Sequence, residues 1–292
     1  MANRTLLPAT LLLAGCLGSA GDPTSPGGPM GGPEGQPTGP AGTADLAGSS
    51  TPTGGADLGG GDAAPGTGPF DLGPIQAGVP GFADSSHGTG GARPVNGTLL
   101  SLGGISYYLL APPASGQGPL PLLVFICGVT GCAPMVATLD AAGGLPGLDR
   151  SVRVLFEHTC AATQIASVMD DLRAHYDIDN DRTYLESESA GTITGIDLGF
   201  GLRQGWFAAY WLNDLVTSGA PAKTAAQIGF QPWGSAGPGG NVGAAQAVVA
   251  AMESAGYRLP TPKYYDGPGY DMHGSSQQGL ASLMFFGGKS RR

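Results

Sequence analysis

The feature that most constrains the fold is an alternation of strand-like and helix-like segments from residue 94 to the end of the chain. Residues 122–127 form a continuous apolar run, which is typical of a parallel strand buried on both faces. Residues 165–176 carry apolar side chains at spacings of three and four, which predicts an amphipathic helix. Alternation of this kind predicts an α/β fold with a mostly parallel sheet flanked by helices.

The same patterns locate the individual elements along the chain. Strands are predicted at residues 105–110, 122–127, 152–157, 183–186, 207–212 and 263–266. Helices are predicted at residues 165–176, from Ala190 onward, at 242–252 and at 277–286, with a turn at 177–181.

The segment before this region has a different composition. Residues 17–93 contain 23 Gly and 11 Pro and no apolar periodicity. Burial therefore cannot offset the entropy cost of ordering such a segment. We predict a disordered linker over residues 16–93, with His87 solvated in it, and a folded domain over residues 94–292.

The first residues have the pattern of an export signal. Arg4 supplies a positive charge, and an apolar stretch follows that ends in Leu13-Ala14-Gly15-Cys16. This ending resembles the lipobox of bacterial lipoproteins. The resemblance implies a signal peptide over residues 1–15, lipidation of Cys16 and a lipid anchor in the cell envelope. Leu17 after the cysteine implies the outer membrane of a Gram-negative bacterium; a plain signal peptide with an accidental Cys16 is the alternative.

Net charge and hydropathy limit the other partners. The formal net charge is −9 and no basic cluster is present, which argues against nucleic-acid binding. The only long apolar run, residues 6–17, contains Pro8 and is too short to span a bilayer. Membrane association is therefore expected through the N-terminal lipid alone.

The candidate nucleophile lies where a predicted strand runs through a tight turn into a helix. Residues 184–191 read Tyr-Leu-Glu-Ser-Glu-Ser-Ala-Gly. This segment resembles the nucleophile elbow Gly-x-Ser-x-Gly of the α/β-hydrolase family. Its lead-in, residues 179–185, is similar to that of polyhydroxybutyrate-depolymerase-like and feruloyl-esterase-like members. The resemblance implies that Ser189 is a nucleophile and that the amides of Ala190 and Val129 form an oxyanion hole.

Two positions depart from the family pattern around this serine. Ser187 stands where the first glycine of the elbow belongs, and Cys127 replaces a histidine before the oxyanion loop. Backbone amides donate irrespective of side chain, so the change at Cys127 leaves the oxyanion hole possible. Ser187 is the more serious departure because the glycine allows strand and helix to approach closely.

The base and the acid follow from chain order, which in this family is serine, acid, histidine. His273 lies in a loop before the last helix, where the family carries its histidine, whereas His158 and His175 precede Ser189. Gly237 occupies the usual position of the acid. Asp214, after the strand at 207–212, is the best substitute, and Asp271 is the alternative.

Three cysteines remain after Cys16, and export permits a disulfide. In the inferred sheet the strand that ends near Cys160 neighbours the strand that ends at Cys127. This neighbourhood makes Cys132–Cys160 or Cys127–Cys160 the expected pair.

One acidic segment imitates the spacing of a metal site. Asp177, Asp179 and Asp181, with Glu188 further on, imitate the spacing of an EF-hand loop. Arg182 occupies the position at which that loop requires glycine, so the spacing is interpreted as chance. No His/Cys cluster has zinc spacing, and neither a metal nor a cofactor is expected.

Two functions remain open on this evidence. The first is a lipid-anchored serine hydrolase that acts on a small-molecule or polymer ester. Trp211 and Trp233 are candidates for its pocket, with core packing as the other interpretation. The second is a binding or scaffold lipoprotein with the same fold in which catalysis has decayed, as Gly237, Ser187 and Cys127 would allow.

Overall fold

A computed structural model of the chain describes residues 78–82, 84–89, 97–112, 118–141 and 145–292. The predicted signal peptide, Cys16 and the linker up to residue 77 lie outside the described residues. The described helices and strands follow each other in the alternating order that the sequence predicts.

In the described part of the chain, seven strands form one sheet. The strands are β1 Leu99–Leu102, β2 Ile105–Leu110, β3 Leu120–Ile126, β4 Val152–Phe156, β5 Ile178–Glu188, β6 Ala209–Asn213 and β7 Trp233–Gly237. Their order is β1-β2-β4-β3-β5-β6-β7. β1 and β2 pair antiparallel, β2 pairs antiparallel with β4, and the five strands β3 to β7 are parallel to one another. The predicted mostly parallel sheet is therefore confirmed.

Helices cover both faces of the sheet. They are α1 Ala133–Ala141, α2 Ala162–His175, α3 Gly191–Ile196, α4 Ala225–Ile228, α5 Val242–Ser254 and α6 Ser276–Phe286. α3 continues into a π-helical segment, Asp197–Leu202, and a 3₁₀ turn, Gln204–Trp206.

Alternate side chains of each strand supply two separate core layers, because successive residues point to opposite faces of a sheet. Along β3, Leu122, Val124 and Ile126 join the layer beneath α2 and α5. Leu123 and Phe125 join the layer beneath α1 and α6. Burial on both faces explains why β3 is apolar at almost every position.

Three local predictions are wrong. Residues 263–266 form no strand; their backbone bends, and only Tyr265 N donates a hydrogen bond to Ala236 O of β7. The turn predicted at 177–181 is instead the start of β5, because residues 84–86 pair with it through Ser86 N to Ile178 O at 2.8 Å and Asn180 N to Asp84 O at 3.2 Å. β7, which the apolar pattern did not predict, is held by its pairing with β6.

Part of the segment predicted as linker is packed on the domain. Trp206 Nε1 donates to Gly78 O at 2.8 Å, and the guanidinium of the buried Arg291 donates to Pro80 O and Gly81 O at 2.9 and 2.7 Å. The predicted boundary at residue 94 is therefore too late. His87 is exposed, as expected, and its Nε2 lies 2.7 Å from Asp84 Oδ1.

Within the described ranges, no helix combines the length and the apolar character that crossing a bilayer requires.

Candidate functional site

Ser189 lies at the carboxyl end of β5, between the strand and α3. Its φ of 51° is positive, a conformation that a non-glycine residue adopts at a strained turn. The backbone N–H of Ser189 donates to Asn213 O at 2.9 Å, and its carbonyl accepts from Thr192 N and Oγ1. The turn is thus held by neighbouring β6 and by the first turn of α3, as the elbow resemblance implies.

The close approach of strand and helix that an elbow requires is achieved with an exchange of residues. A Cβ at Gly191 would collide with the carbonyl oxygens of Ile126 and Cys127, so the second elbow glycine is required. Ser187 occupies the space that a Cβ at Gly195 would fill. Gly195 of α3 therefore leaves the space that the Ser187 side chain needs, so that strand and helix remain close without a glycine at position 187.

The predicted oxyanion loop, residues 128–131 after β3, packs directly on Ser189. A Cβ placed on Gly128 would lie 3.0 Å from Ser189 Cβ and 3.6 Å from its Oγ. Among the described residues, the backbone N–H groups of Val129 and Ala190 have no hydrogen-bond acceptor. The two amides that are predicted to form an oxyanion hole are therefore available to donate, as far as the described residues show.

His273 and Asp214 come together at the same edge of the sheet. Asp214 follows β6 with a φ of 51°, its side chain is completely buried, and its Oδ2 lies 3.8 Å from His273 Nδ1. His273 itself is 57% exposed. Asp271, the alternative acid, is exposed and forms no ion pair with His273 in the described part of the chain.

The electrostatics of this pair depend on burial and on one amide. Burial raises the pKa of Asp214, while the backbone N–H of Gly274 and the nearby His273 lower it. The Gly274 N–H donates to Asp214 Oδ2, whereas Oδ1 has no partner. Burial and the charge of Asp214 raise the pKa of Glu188, which directly precedes the serine, and His273 opposes that shift.

Gln278, which sequence reasoning missed, organises the loop that carries His273. It is completely buried at the start of α6. Its Nε2 donates to Gly269 O, Tyr270 O and Met272 O at 2.8, 3.0 and 3.3 Å. The available signal was an amide side chain on the same helix face as the apolar Leu283 and Phe286.

The absence of a carboxylate at Gly237 has a steric explanation. Gly237 ends β7, and a Cβ there would collide with Asn213 Oδ1 and Gln278 Oε1. Two buried amide side chains thus fill the space that an acid would need. The carboxylate of Asp214 is supplied from β6, the neighbouring strand, whose last residue Asn213 pairs with Gly237.

The disulfide prediction is wrong. Cys127 pairs with Cys132, with their Cα atoms 5.4 Å apart, and Cys160 is free and buried. Cys160 belongs to the core layer beneath α2 and α5, whereas Cys127 and Cys132 belong to the opposite layer. The sheet therefore separates Cys160 from both predicted partners.

The two pocket tryptophans lie elsewhere. Trp211 is buried against Tyr265 and Phe285, with its Nε1 donating to Asn213 Oδ1 at 3.2 Å, so core packing is correct for it. Trp233 begins β7, at the opposite end of the strand from Gly237, and lies between Arg258 and Lys289.

Acidic residues outside this edge are engaged in ion pairs. Asp179 pairs with Arg182 at 2.7 Å, and Asp181 pairs with Arg291 at 3.1 Å. In the ranges that the structure covers, no three His, Cys, Asp or Glu side chains are grouped so that they could hold a metal ion.

No protein-family model and no curated protein matches this chain, whereas several solved structures are similar to it. A solved thermostable esterase is 19% identical over 64% of this chain and 60% of its own length, with a TM-score of 0.46. Est1E from Butyrivibrio proteoclasticus is 14% identical over 65% of this chain and 96% of its own, with a TM-score of 0.43.

A ferulic acid esterase from Anaeromyces mucronatus, solved with ferulic acid, is 13% identical over 63% of this chain and 84% of its own, with a TM-score of 0.43. At such identities the similarity concerns the fold alone. The sheet is mostly parallel and helices cover both of its faces, which is an α/β fold.

Proposed function

We propose that this protein is a serine hydrolase that cleaves carboxylic esters. One observation carries the proposal: the buried Asp214 carboxylate faces Nδ1 of His273 at the sheet edge where Ser189 turns out of β5. A carboxylate at Nδ1 favours the tautomer that has its proton on Nδ1, which leaves Nε2 free to act as a base.

Acylation uses these groups in sequence. His273 Nε2 accepts the hydroxyl proton of Ser189 as Oγ attacks the ester carbonyl carbon. The amides of Val129 and Ala190 donate to the carbonyl oxygen as it becomes an oxyanion. His273 then returns the proton to the leaving alkoxide as the ester C–O bond breaks, so that an alcohol departs and an acyl-serine remains.

Deacylation repeats the same steps with water as the nucleophile. His273 takes a proton from water, and the resulting hydroxide attacks the acyl carbon. The proton then passes to Ser189 Oγ as the bond between Oγ and the acyl carbon breaks, and the carboxylic acid departs. Throughout, Asp214 orients the imidazole and stabilises its cationic form.

The substrate side of the site is apolar. Val129, Tyr270 and Met272 lie in the two loops that bear the proposed oxyanion donor and the proposed base, and they are 69%, 39% and 61% exposed. Exposed apolar side chains grouped in this way favour an ester with an apolar or aromatic acyl group. The proposal covers small-molecule and polymer esters of this kind alike.

A fluorophosphonate probe tests the proposal on the full chain, beside Ser189→Ala, His273→Ala and Asp214→Asn. Labelling should disappear in Ser189→Ala and fall by roughly 10³-fold or more in His273→Ala. The rate of p-nitrophenyl ester hydrolysis should likewise be lost in Ser189→Ala and strongly reduced in His273→Ala.

His175→Ala is the matched control. His175 is exposed and its Nδ1 lies 3.5 Å from Asp171, which imitates the candidate pair away from the serine. Its loss should leave labelling unchanged. Equal labelling of wild type and Ser189→Ala would contradict the proposal.

A binding protein without catalysis is the second candidate function. It is favoured by the 3.8 Å between His273 Nδ1 and Asp214 Oδ2, which exceeds a hydrogen-bond distance. Catalytic hydrogen bonds are often long before substrate binds, so this distance is also compatible with the enzyme. A folded wild-type protein that the probe does not label would contradict the hydrolase and favour the candidate without catalysis.

We further propose that the chain is exported and anchored in the outer membrane through a lipidated Cys16. The proposal is supported by Leu13-Ala14-Gly15-Cys16 after an apolar stretch. Metabolic labelling with palmitate should mark the wild type and not Cys16→Ala, and only the wild type should sediment with outer membranes. Release of an unlabelled wild-type protein into the periplasm would contradict the anchor.

A further inference from the structure

We infer that the Cys127–Cys132 disulfide and Glu157 are positioning elements that hold the oxyanion loop against the nucleophile. This inference rests on the proposed function, because it assigns these groups a role in the same reaction. The reaction steps proposed above give no role to Cys127, Cys132 or Glu157.

The disulfide closes the oxyanion loop on itself. Cys127 directly follows β3, Cys132 directly precedes α1, and the four residues 128–131 lie between them. A cross-link between residues only five positions apart removes little chain entropy from the unfolded state compared with a long loop. Its main effect is therefore local, on the loop that carries the Val129 amide.

Glu157 holds the far end of the same loop. It follows β4, and its Oε1 accepts a hydrogen bond from Cys132 N at 3.1 Å. A Cβ at Gly131 would lie 3.2 Å from Glu157 Oε2, so the loop passes directly over this carboxylate. The Glu157 side chain thus fixes the two residues that lead into α1.

The near end of the loop is fixed by the sheet and by the serine. Cys127 N donates to Phe156 O of β4 at 2.9 Å, and Gly128 packs against Ser189. A turn hydrogen bond from Gly131 N to Gly128 O at 3.0 Å closes the loop. The Val129 amide is therefore held between two anchored ends, and its direction depends on both.

An amide that meets the oxyanion acts in the transition state more than in substrate binding. Loosening the loop should consequently lower kcat and leave KM nearly unchanged. Removing one oxyanion donor costs about 10²- to 10³-fold in kcat, so a donor that is only misdirected should cost about 10- to 100-fold.

The experiment uses the full-length protein with Cys160→Ala, which removes the free buried thiol. Dithiothreitol reduces the disulfide: the S–S bond breaks, two thiols form, and the reagent supplies two electrons and two protons as it becomes a cyclic disulfide. The reduced protein and Cys127→Ala/Cys132→Ala should both show the fall in kcat. Cys127→Ala/Cys132→Ala should not respond to dithiothreitol, and its melting temperature should remain near that of Cys160→Ala.

Glu157 is tested by a conservative pair. Glu157→Gln keeps an acceptor for Cys132 N and should retain most of kcat. Glu157→Leu removes the acceptor and should lose as much as reduction does. Equal kcat for all of these variants and for the reduced protein would overturn the inference.

Hydrogen exchange separates failure of this inference from failure of the proposed function. The hydrogen-bonded amides of Gly131 and Cys132 should exchange faster after reduction, whether or not the protein hydrolyses esters. An oxidised wild type that neither labels nor hydrolyses would overturn the proposed function and with it the catalytic role of the loop. Unchanged exchange after reduction would overturn the positioning role by itself.

Discussion

The pair formed by Ser187 and Gly195 shows how one residue can restore a motif that another has broken. Ser187 is completely buried, and its Oγ has no hydrogen-bond partner. Its side chain lies where the Cβ of any residue other than glycine at position 195 would be. The sequence motif is degraded, yet the close contact between β5 and α3 that the motif provides is retained.

A double-mutant cycle tests this exchange. Gly195→Ala should destabilise the protein by about 1–3 kcal/mol through overpacking against Ser187. Ser187→Gly/Gly195→Ala should restore stability to near the wild-type value, because the added methyl group then has room and alanine favours the helix. Urea unfolding measures both; additive effects of the two substitutions would contradict the compensation.

A second residue of β5, Glu186, carries a carboxyl group that the proposed reaction does not use. It is buried, its Oε1 accepts a hydrogen bond from the Ser282 hydroxyl at 2.6 Å, and its Oε2 has no hydrogen-bond partner among the described residues. Burial raises the pKa of Glu186 from 4.5 to about 8, and the charges of Glu188 and Asp214 add to the shift. The Glu186 carboxyl group of the folded protein is therefore mostly protonated at neutral pH.

Glu186→Gln should change how stability depends on pH. Between pH 4.5 and about 8 the folded state binds a proton that the unfolded state has released, so this group makes stability fall as pH rises. The difference in unfolding free energy between wild type and variant should change by about 1.4 kcal/mol per pH unit in that window. Urea unfolding from pH 5 to pH 8 measures it; parallel curves would contradict a raised pKa.

At the scale of elements, α6 has two functions. Its apolar face packs on the sheet through Leu283 and Phe286. Its first turn presents Gln278 to the loop that carries His273, and this single amide serves three carbonyl groups. The position of the proposed base therefore depends on the start of a helix and not on the histidine loop alone.

Gln278→Met should remove these hydrogen bonds while it keeps the length of the side chain. We expect kcat/KM for ester hydrolysis to fall by about 10- to 100-fold, because a small displacement of His273 misaligns proton transfer. Gln277→Met, at the exposed neighbouring position, is the control. If the two variants have the same kcat/KM, Gln278 does not position the base.

The elements that could be predicted from sequence are those whose apolar pattern is complete. β3 is an unbroken apolar run, and α2 repeats at helical spacing. β7 reads Trp-Gly-Ser-Ala-Gly, which has little strand preference of its own and is a strand because it pairs with β6. The closing helix was predicted within one residue of its start.

The candidate site also contains residues that could be predicted from the sequence and residues that could not. Ser189, His273 and Asp214 could be named because a local motif and chain order point to them. Gln278 and Gly195 act only through contacts with distant residues, which no local pattern records. The cysteine pairing failed for the same reason, since it required knowing which face of the sheet each thiol occupies.

At the scale of the whole molecule, the two ends of the described chain are joined. Arg291 is buried, its Nη2 lies 3.1 Å from Asp181 Oδ1, and its guanidinium lies over the rings of Phe82 and Phe230. With its bonds to Pro80 O and Gly81 O, this side chain attaches the segment at residues 78–82 near the amino end of β5. The candidate site lies at the opposite, carboxyl end of that strand.

The attachment predicts that a domain cut at residue 94 is incomplete. Chains of residues 70–292 and 94–292 should differ by several kcal/mol in unfolding free energy, because the shorter one leaves Arg291 without two carbonyl acceptors. Arg291→Met should cost about 3–5 kcal/mol in the longer chain, as expected when a buried ion pair loses one partner. In the shorter chain the same substitution should cost clearly less, because part of the interaction is already gone. Urea unfolding of the four proteins measures this coupling, and an equal cost of Arg291→Met in both chains would show that Arg291 does not attach residues 78–82 to the domain.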